Sequence, residues 1–285
     1  MSSQLKTIAL LGVLSALAVG AASMFSPGWG LAMGAIALVF NVFSYFYSDR
    51  LVLRLHHARE LTPGEAPDLH AINDELARAA GIPPPRLYVV EADYANAFAT
   101  GRGPGHAAIA VTSALVRGLS RREIRGVMAH EMAHVANRDV LIASVAAMLA
   151  TVISTIASII RWSAIFGGSS RDDDRGSPIA ALAFAIVAPF AAMLVQFAIS
   201  RAREFVADET AARLTRDPES LASALERLAA DAERPHLFAP SPATASLFIV
   251  NPLAGAGGIA RLFSTHPPME ERVARLRALS PQYVG

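Results

Sequence analysis

The chain of 285 residues is more apolar than a soluble domain, because 53% of its residues are hydrophobic and only 17% are charged. An average soluble domain carries about 25% charged residues, so we expect much of this chain to lie in a lipid bilayer. The 25 Lys and Arg residues are balanced by 24 Asp and Glu residues, which leaves no basic field for nucleic acid. The absence of cysteine excludes disulfides and thiolate metal ligands.

Four apolar stretches are each long enough to cross a hydrocarbon core as a helix, which takes about 20 residues. They occupy residues 7–25, 29–47, 140–160 and 178–199. Only Ser26, Pro27 and Gly28 separate the first two, so these two stretches are predicted to form a tight helical hairpin. The other two form a second hairpin around a loop at about residues 161–177. A cleavable signal peptide is the weaker interpretation, because another span follows at once.

The positive charges indicate how these spans are oriented, since cytoplasmic flanks are enriched in Lys and Arg. One side of the predicted bundle holds the arginines next to the spans, namely Arg50, Arg54, Arg59, Arg138, Arg201 and Arg203. On the other side, the arginines of the loop 161–177 are balanced by aspartates. We therefore predict that both termini and the polar segments are cytoplasmic.

The predicted spans divide the chain into four parts. Residues 1–48 and 140–199 are the two transmembrane hairpins, while residues 49–139 and 200–285 are two parts of one cytoplasmic domain. The predicted elements of that domain are a helix at 67–80, strands at 86–91, 95–100 and 107–112, and helices at 200–213, 218–232 and 267–279. The predicted fold class is mainly α, with four transmembrane helices and a cytoplasmic α+β domain that contains a small sheet.

The sequence His130-Glu131-Met132-Ala133-His134 lies at the end of a predicted helix that Ser120 and Glu123 begin with a capping box. Residues four apart share a helix face, so His130 and His134 can bind one Zn²⁺ while Glu131 points to a neighbouring water. This arrangement is typical of zinc-assisted hydrolysis. The alternative is a half-exposed helix that carries two histidines by chance.

A catalytic zinc site usually needs a third protein ligand. The metzincin spacing is excluded, because Val140 stands where that motif has its third histidine. Glu204 is the best candidate, because it follows the fourth span as His130 precedes the third, and antiparallel spans would return both to one membrane face. Asp208, one helical turn later, can hydrogen-bond the outer nitrogen of a ligand histidine. The alternative is that both acids lie on a solvated helix face.

These motifs together resemble those of the HtpX family of membrane zinc endopeptidases, relatives of the prenyl-protein proteases. The resemblance covers nearly the whole chain, and the matching residues are 96–101, 130–134, 200–201, 204–208 and 264–267. It implies a zincin-like protease of the bacterial cell inner membrane that acts in the stress response by clearing misfolded membrane proteins.

The resemblance also implies roles for particular residues. His130, His134 and Glu204 would hold one zinc ion, and Glu131 would be the general base. His266 would lie in the active site, where it could donate a hydrogen bond to the developing oxyanion. The alternative for His266 is local packing at the start of the last helix.

We expect polypeptide substrates, mainly membrane proteins, to bind in an extended form. Asn96, Ala97, Phe98 and Ala99 are predicted to form an exposed strand edge that pairs with the peptide backbone. Backbone pairing depends little on the side chains of the substrate, so we expect broad sequence specificity. The alternative is an inner strand of a small sheet.

Three other functions compete with this interpretation. An intramembrane protease of the site-2 type is disfavoured, because charged residues surround the motif and would be costly in hydrocarbon. A non-catalytic membrane scaffold would have no use for Glu131. A transporter is disfavoured because the predicted spans carry almost no ionisable residue.

Overall fold

The structure is a computed structural model that describes residues 3–23, 26–150, 201–237, 244–250 and 267–283. The predicted fourth span, the loop 161–177 and the second half of the third span lie outside the described residues, as does His266.

The N-terminal hairpin consists of helices α1 (Ser3–Ser23) and α2 (Pro27–Leu55). The two pack antiparallel, and Asn41 Nδ2 donates a hydrogen bond of 3.0 Å to Ser15 Oγ between them. Within the described ranges, α2 is long and apolar enough to cross a membrane, and a second span would be the bent pair described below. The four predicted spans are therefore not confirmed.

The predicted sheet is present and is mixed. Its strands are β1 (Arg59–Glu60), β2 (Arg86–Val90), β3 (Ala97–Gly101) and β4 (Ala107–Thr112), in the order β1-β2-β4-β3. Strands β2 and β4 run parallel, and the other two pairs are antiparallel. Helix α3 (Pro67–Ala80) has the predicted bounds and ends at Gly81, which has a left-handed φ of 69°.

The turn between β3 and β4 depends on glycine. Gly101 has a φ of 142°, and a Cβ atom there would collide with the carbonyl oxygen of His106. A short 3₁₀ turn (Pro104–His106) then leads into β4, and the six-residue helix α4 (Ser113–Gly118) follows β4. The sequence predicted neither α4 nor the two-residue strand β1.

The helix that carries the two histidines, α5 (Arg121–Ala136), begins with the predicted capping box. Glu123 Oε2 accepts a hydrogen bond of 2.8 Å from the Ser120 amide, and Ser120 Oγ accepts one from the Glu123 amide. After α5 the chain bends by 93° into α6, described as Val140–Ala150. The bend uses Arg138 in a left-handed conformation, with a φ of 60°.

Three further helices complete the described fold: α7 (Arg201–Thr215), α8 (Pro218–Ala232) and α9 (Met269–Leu279). Helix α5 lies between β3 and the pair α7 and α8, and its side chains Val127, Met128 and Met132 are fully buried. Its approach to α8 requires Gly126, where a Cβ atom would lie 2.7 Å from the backbone nitrogen of Leu221. The fold is thus mainly helical with a small mixed sheet, as predicted, and this packing brings α7 against the histidines.

Candidate active site

Helices α5 and α7 bring the three predicted metal ligands together. The Nε2 atoms of His130 and His134 are 3.1 Å apart. The Glu204 carboxylate lies 3.6 Å from His130 Nε2 and 3.4 Å from His134 Nε2. One donor atom from each residue falls within 4.8 Å of the other two. Two imidazoles and one carboxylate are a donor set typical of catalytic zinc sites, so these residues fit a divalent metal.

Glu131 lies beside this cluster and is buried. Burial raises the pKa of the Glu131 carboxyl above its usual range, against the opposing effect of the two histidines and a hydrogen bond from the backbone of Ala99. A carboxylate with a raised pKa accepts a proton more readily near neutral pH. Glu131 can therefore act as a general base for a water at the cluster.

Asp208 lies one turn beyond Glu204 on α7 and faces the outer nitrogen of His130. Its Oδ1 atom is 2.9 Å from His130 Nδ1, so it fixes the imidazole tautomer that turns Nε2 toward Glu204. Burial lowers the pKa of His130, but the hydrogen bonds with Asp208 and Glu204 outweigh that effect and raise it to about 9.

Arg272 is one of the site residues that the sequence did not predict. This fully buried side chain on α9 donates hydrogen bonds of 2.8 and 2.7 Å to the Asp208 carboxylate and one of 3.1 Å to the Ile249 carbonyl oxygen. Although burial by itself raises the pKa of Asp208, the charge and hydrogen bonds of Arg272 outweigh it and lower the pKa. Arg272 therefore keeps Asp208 ionised behind His130.

A second acid approaches the other histidine. Asp139, at the bend between α5 and α6, places Oδ2 3.6 Å from His134 Nδ1. Its Oδ1 atom lies 3.4 Å from Nη1 of Arg203 on α7. Each histidine thus has a carboxylate on its outer side, and each of these carboxylates is paired with an arginine.

A cavity of about 50 Å³ opens beside the cluster. Its walls are formed by β3, the bend between α5 and α6, the start of α7 and the segment 244–250; the lining residues used below are Ala99, Glu131, Asp139, Arg203 and Phe248. On this measure one water molecule needs only about 10 to 15 Å³, so the cavity is large enough to admit water beside Glu131.

Strand β3 lies at the edge of the sheet, and the segment 244–250 covers the Asn96 and Ala97 end of this edge. Ile249 donates a backbone hydrogen bond of 3.1 Å to the Ala97 carbonyl oxygen, and Asn96 Nδ2 donates one of 2.8 Å to the Val250 carbonyl oxygen. Phe98 packs on the opposite face against Phe248, with ring centroids 5.3 Å apart. Of the four predicted substrate-binding residues, only Ala99 lines the cavity.

The chain is similar to known proteins over most of its length. The family model described as Peptidase family M48 matches residues 63–280. The chain belongs to this family. The M48 peptidase is 50% identical over 284 residues to the protease HtpX homolog of Syntrophobacter fumaroxidans, a match that covers 98% of this chain and 100% of that relative. It is 47% identical over 280 residues to the protease HtpX homolog of Thermococcus kodakarensis, covering 98% and 96% of the two chains.

Among solved structures, the M48 peptidase is similar to Ste24p of S. mikatae, with a TM-score of 0.53 and 19% sequence identity over 96% of this chain and 64% of that chain. At this identity the likeness shows the fold alone. The resemblance to the HtpX family is confirmed by the full-length relatives. Together with the His130, His134 and Glu204 cluster, family membership identifies a membrane metalloprotease and does not favour the scaffold.

Proposed function

We propose that this M48 peptidase is a zinc endopeptidase of the cell inner membrane, with a cytoplasmic active site, that hydrolyses misfolded or unfolded membrane proteins. The observation that carries the proposal is the meeting of His130, His134 and Glu204 from two helices, with buried Glu131 beside them. Two imidazoles and a carboxylate are a common donor set of zinc hydrolases and disfavour Mg²⁺ and Ca²⁺, which prefer oxygen ligands. Helix α2 supports attachment to the membrane, and the full-length HtpX homologues support the role in quality control.

A zinc ion held by His130, His134 and Glu204 would lower the pKa of a water molecule and polarise the scissile carbonyl group. Glu131 would accept the proton of that water and pass it to the leaving amine. The Ala99 backbone, which hydrogen-bonds Glu131, orients the carboxylate for this transfer. Asp208 and Arg272 hold His130 in place from behind.

The test uses the full-length chain in detergent, with zinc measured by elemental analysis and casein cleavage measured with and without a chelator. Glu131→Gln should retain one zinc ion per chain and lower turnover by about 10²- to 10⁴-fold, since the general base is lost. Glu204→Ala should lose the zinc itself. Glu209→Gln, at an exposed position on α7, is the matched control and should change neither quantity. Cleavage by Glu131→Gln at the parent rate would contradict the assignment.

We also propose that His266 donates a hydrogen bond to the oxyanion. His266→Ala should then lower kcat while the zinc content stays at one ion per chain. An unchanged kcat would favour the local packing role.

Peptide pairing along β3 is proposed only at its Ala99 end, because the Asn96 and Ala97 end is bonded to the segment 244–250. Ala99→Leu keeps the amide that bonds Glu131 but adds bulk at the cavity wall, so it should raise KM for casein while the zinc content is kept. Unchanged cleavage would favour a purely structural strand.

A further inference from the structure

Arg203 lines the cavity beside the metal ligands and has an unused hydrogen-bond donor. Its Nη1 atom is 3.4 Å from Asp139 Oδ1. Its Nη2 atom is buried and has no hydrogen-bond acceptor among the residues that the structure describes. A buried donor without an acceptor is unfavourable by itself, so a group that supplies the acceptor would be stabilised there.

The way Arg203 meets Asp139 differs from two closely bound arginine pairs of this chain. Arg272 holds Asp208 with two hydrogen bonds of 2.7 and 2.8 Å, and Arg122 holds Asp217 with two of 2.6 and 2.5 Å. In both pairs the planar guanidinium fork meets the carboxylate with two nitrogens. Arg203 binds Asp139 through Nη1 alone, at 3.4 Å, so Nη2 is left for a different acceptor.

The charges around the cavity indicate which acceptor fits. Glu131, Asp139 and Glu204 all contribute carboxylates to its lining, and these disfavour a second anion such as a peptide's terminal carboxylate. A main-chain carbonyl oxygen is neutral and accepts hydrogen bonds strongly. An extended peptide that reaches the metal ligands brings several such oxygens past Arg203.

We propose that Arg203 is a substrate-binding residue whose Nη2 donates to a main-chain carbonyl oxygen of the bound peptide next to the scissile bond. This inference rests on the proposed endopeptidase function and names a further contact of the same site. Asp139 holds Nη1 and so sets the direction of Nη2.

The experiment measures peptide affinity apart from catalysis. The full-length chain in detergent is stripped of metal with a chelator, and binding of a fluorescein-labelled, C-terminally amidated casein peptide is followed by fluorescence anisotropy. A second series uses the zinc-loaded Glu131→Gln protein. Arg203→Gln should weaken peptide binding by about 10- to 100-fold in both series, as expected for a lost hydrogen bond to a charged donor. Because the glutamine amide can still donate to Asp139, zinc content and Tm should stay close to the parent values.

Two further variants sharpen the result. Arg213→Gln removes the same charge from an exposed position on α7 and should leave the affinity unchanged. Arg203→Lys keeps the charge but lacks the planar fork, so it can reach Asp139 or the peptide but not both. It should recover only part of the affinity. With casein as substrate and zinc-loaded protein, Arg203→Gln should raise KM more than it lowers kcat.

Three outcomes would overturn the proposal: equal affinities in Arg203→Gln and the parent, a loss of affinity that occurs only together with lost zinc or a lower Tm, or tighter binding of the free-acid peptide than of the amide. The last outcome would assign Arg203 to a terminal carboxylate. If the parent binds no peptide with or without zinc, both this proposal and the endopeptidase function fail. If Glu131→Gln retains turnover while Arg203→Gln weakens binding, only the assigned chemistry fails.

Discussion

Arg272 and Asp208 form a fully buried, two-point ion pair between α9 and α7, with hydrogen bonds of 2.8 and 2.7 Å. The Oδ1 atom of Asp208, which accepts the 2.7 Å hydrogen bond from Arg272, also lies 2.9 Å from His130 Nδ1. Arg272 Nη1 also lies 3.8 Å from Glu204 Oε2, and its Nη2 atom lies 3.4 Å from His130 Nδ1. Helix α9 therefore supports two of the metal ligands without contributing a ligand itself.

Replacing Arg272 should destabilise the protein and loosen the metal. Arg272→Met leaves the Asp208 carboxylate buried without its partner, which costs about 3 to 5 kcal/mol in the free energy of unfolding. Zinc affinity should fall by about 10- to 100-fold, because His130 loses its fixed orientation. Unfolding of the detergent-solubilised chain and competition with a zinc chelator measure the two effects.

The control for that change is Arg275→Met on the same helix, where the arginine pairs with Glu271 on the surface. Exposed pairs of this kind contribute about 0 to 1 kcal/mol, so zinc affinity should be unaffected. Equal effects of the two substitutions would show that the buried pair has no special role.

The close approach of α5 and α8 predicts that Gly126→Ala is harmful although alanine favours helices. The added Cβ atom would lie 2.7 Å from the Leu221 nitrogen and 2.9 Å from the Ser220 carbonyl carbon, and backbone atoms cannot move aside cheaply. We expect a loss of about 1 to 3 kcal/mol in the free energy of unfolding. Gly118→Ala, where nothing lies within 4 Å, should be neutral or slightly stabilising when both are compared by thermal unfolding.

His56 should make the protein sensitive to acid. Its ring lies between Phe98 and Phe248, with centroid distances of 5.2 Å to each, and burial together with the charge of His57 lowers its pKa from 6.5 to about 4. The unfolded chain binds the proton near 6.5, whereas the folded chain binds it only near 4. The stabilisation is therefore complete above pH 6.5 and is lost as the pH falls toward 4, by about 3 kcal/mol in total.

His56→Phe should fill the same space and remove this part of the pH dependence. Unfolding curves at several pH values between 7 and 4 should show the variant gaining stability relative to the parent as the pH falls. His106→Phe, at an exposed position, should follow the parent curve. A parallel pH dependence of His56→Phe and the parent would refute the prediction.

Asn96 should hold the segment 244–250 in place. Its side chain donates 2.8 Å to the Val250 carbonyl oxygen and accepts from the amides of Val250 and Ala97 at 3.4 and 3.1 Å. Asn96→Ala should free the segment and expose Phe248, which is fully buried in the parent. Limited digestion with chymotrypsin should then cut after Phe248 faster than in the parent, whereas Asn137→Ala, at an exposed position, should not change the rate.

The sequence predicted those parts of the fold that local rules control. The bounds of α3 and β4 and the start of α5 follow from Gly81, from the apolar run after the glycine-rich turn and from the Ser120 capping box. Strand β1 and helix α4 were missed because both are too short to form without the tertiary packing around them. The cover over the Asn96 and Ala97 end of β3 could not be predicted, because the segment that provides it lies far away in the sequence.

Within the site, the ligands were easier to predict than the residues that support them. His130 and His134 share one helix, and Glu204 followed from the expected pairing of spans. Arg272 had a signal that was not used, since it falls on the same face of α9 as Met269, Val273 and Leu276, which pack in the core. An arginine on a buried face requires a buried acid, and Asp208 was available.

Arg272 is synthesised after all the site residues that it supports. During translation, the two histidines, Glu204 and Asp208 all leave the ribosome before α9 does. Until α9 docks, Asp208 lacks its counter-charge, so the nascent chain cannot close a well-ordered metal pocket. We therefore expect the metal pocket to become ordered only after α9 has been synthesised and has packed against α7.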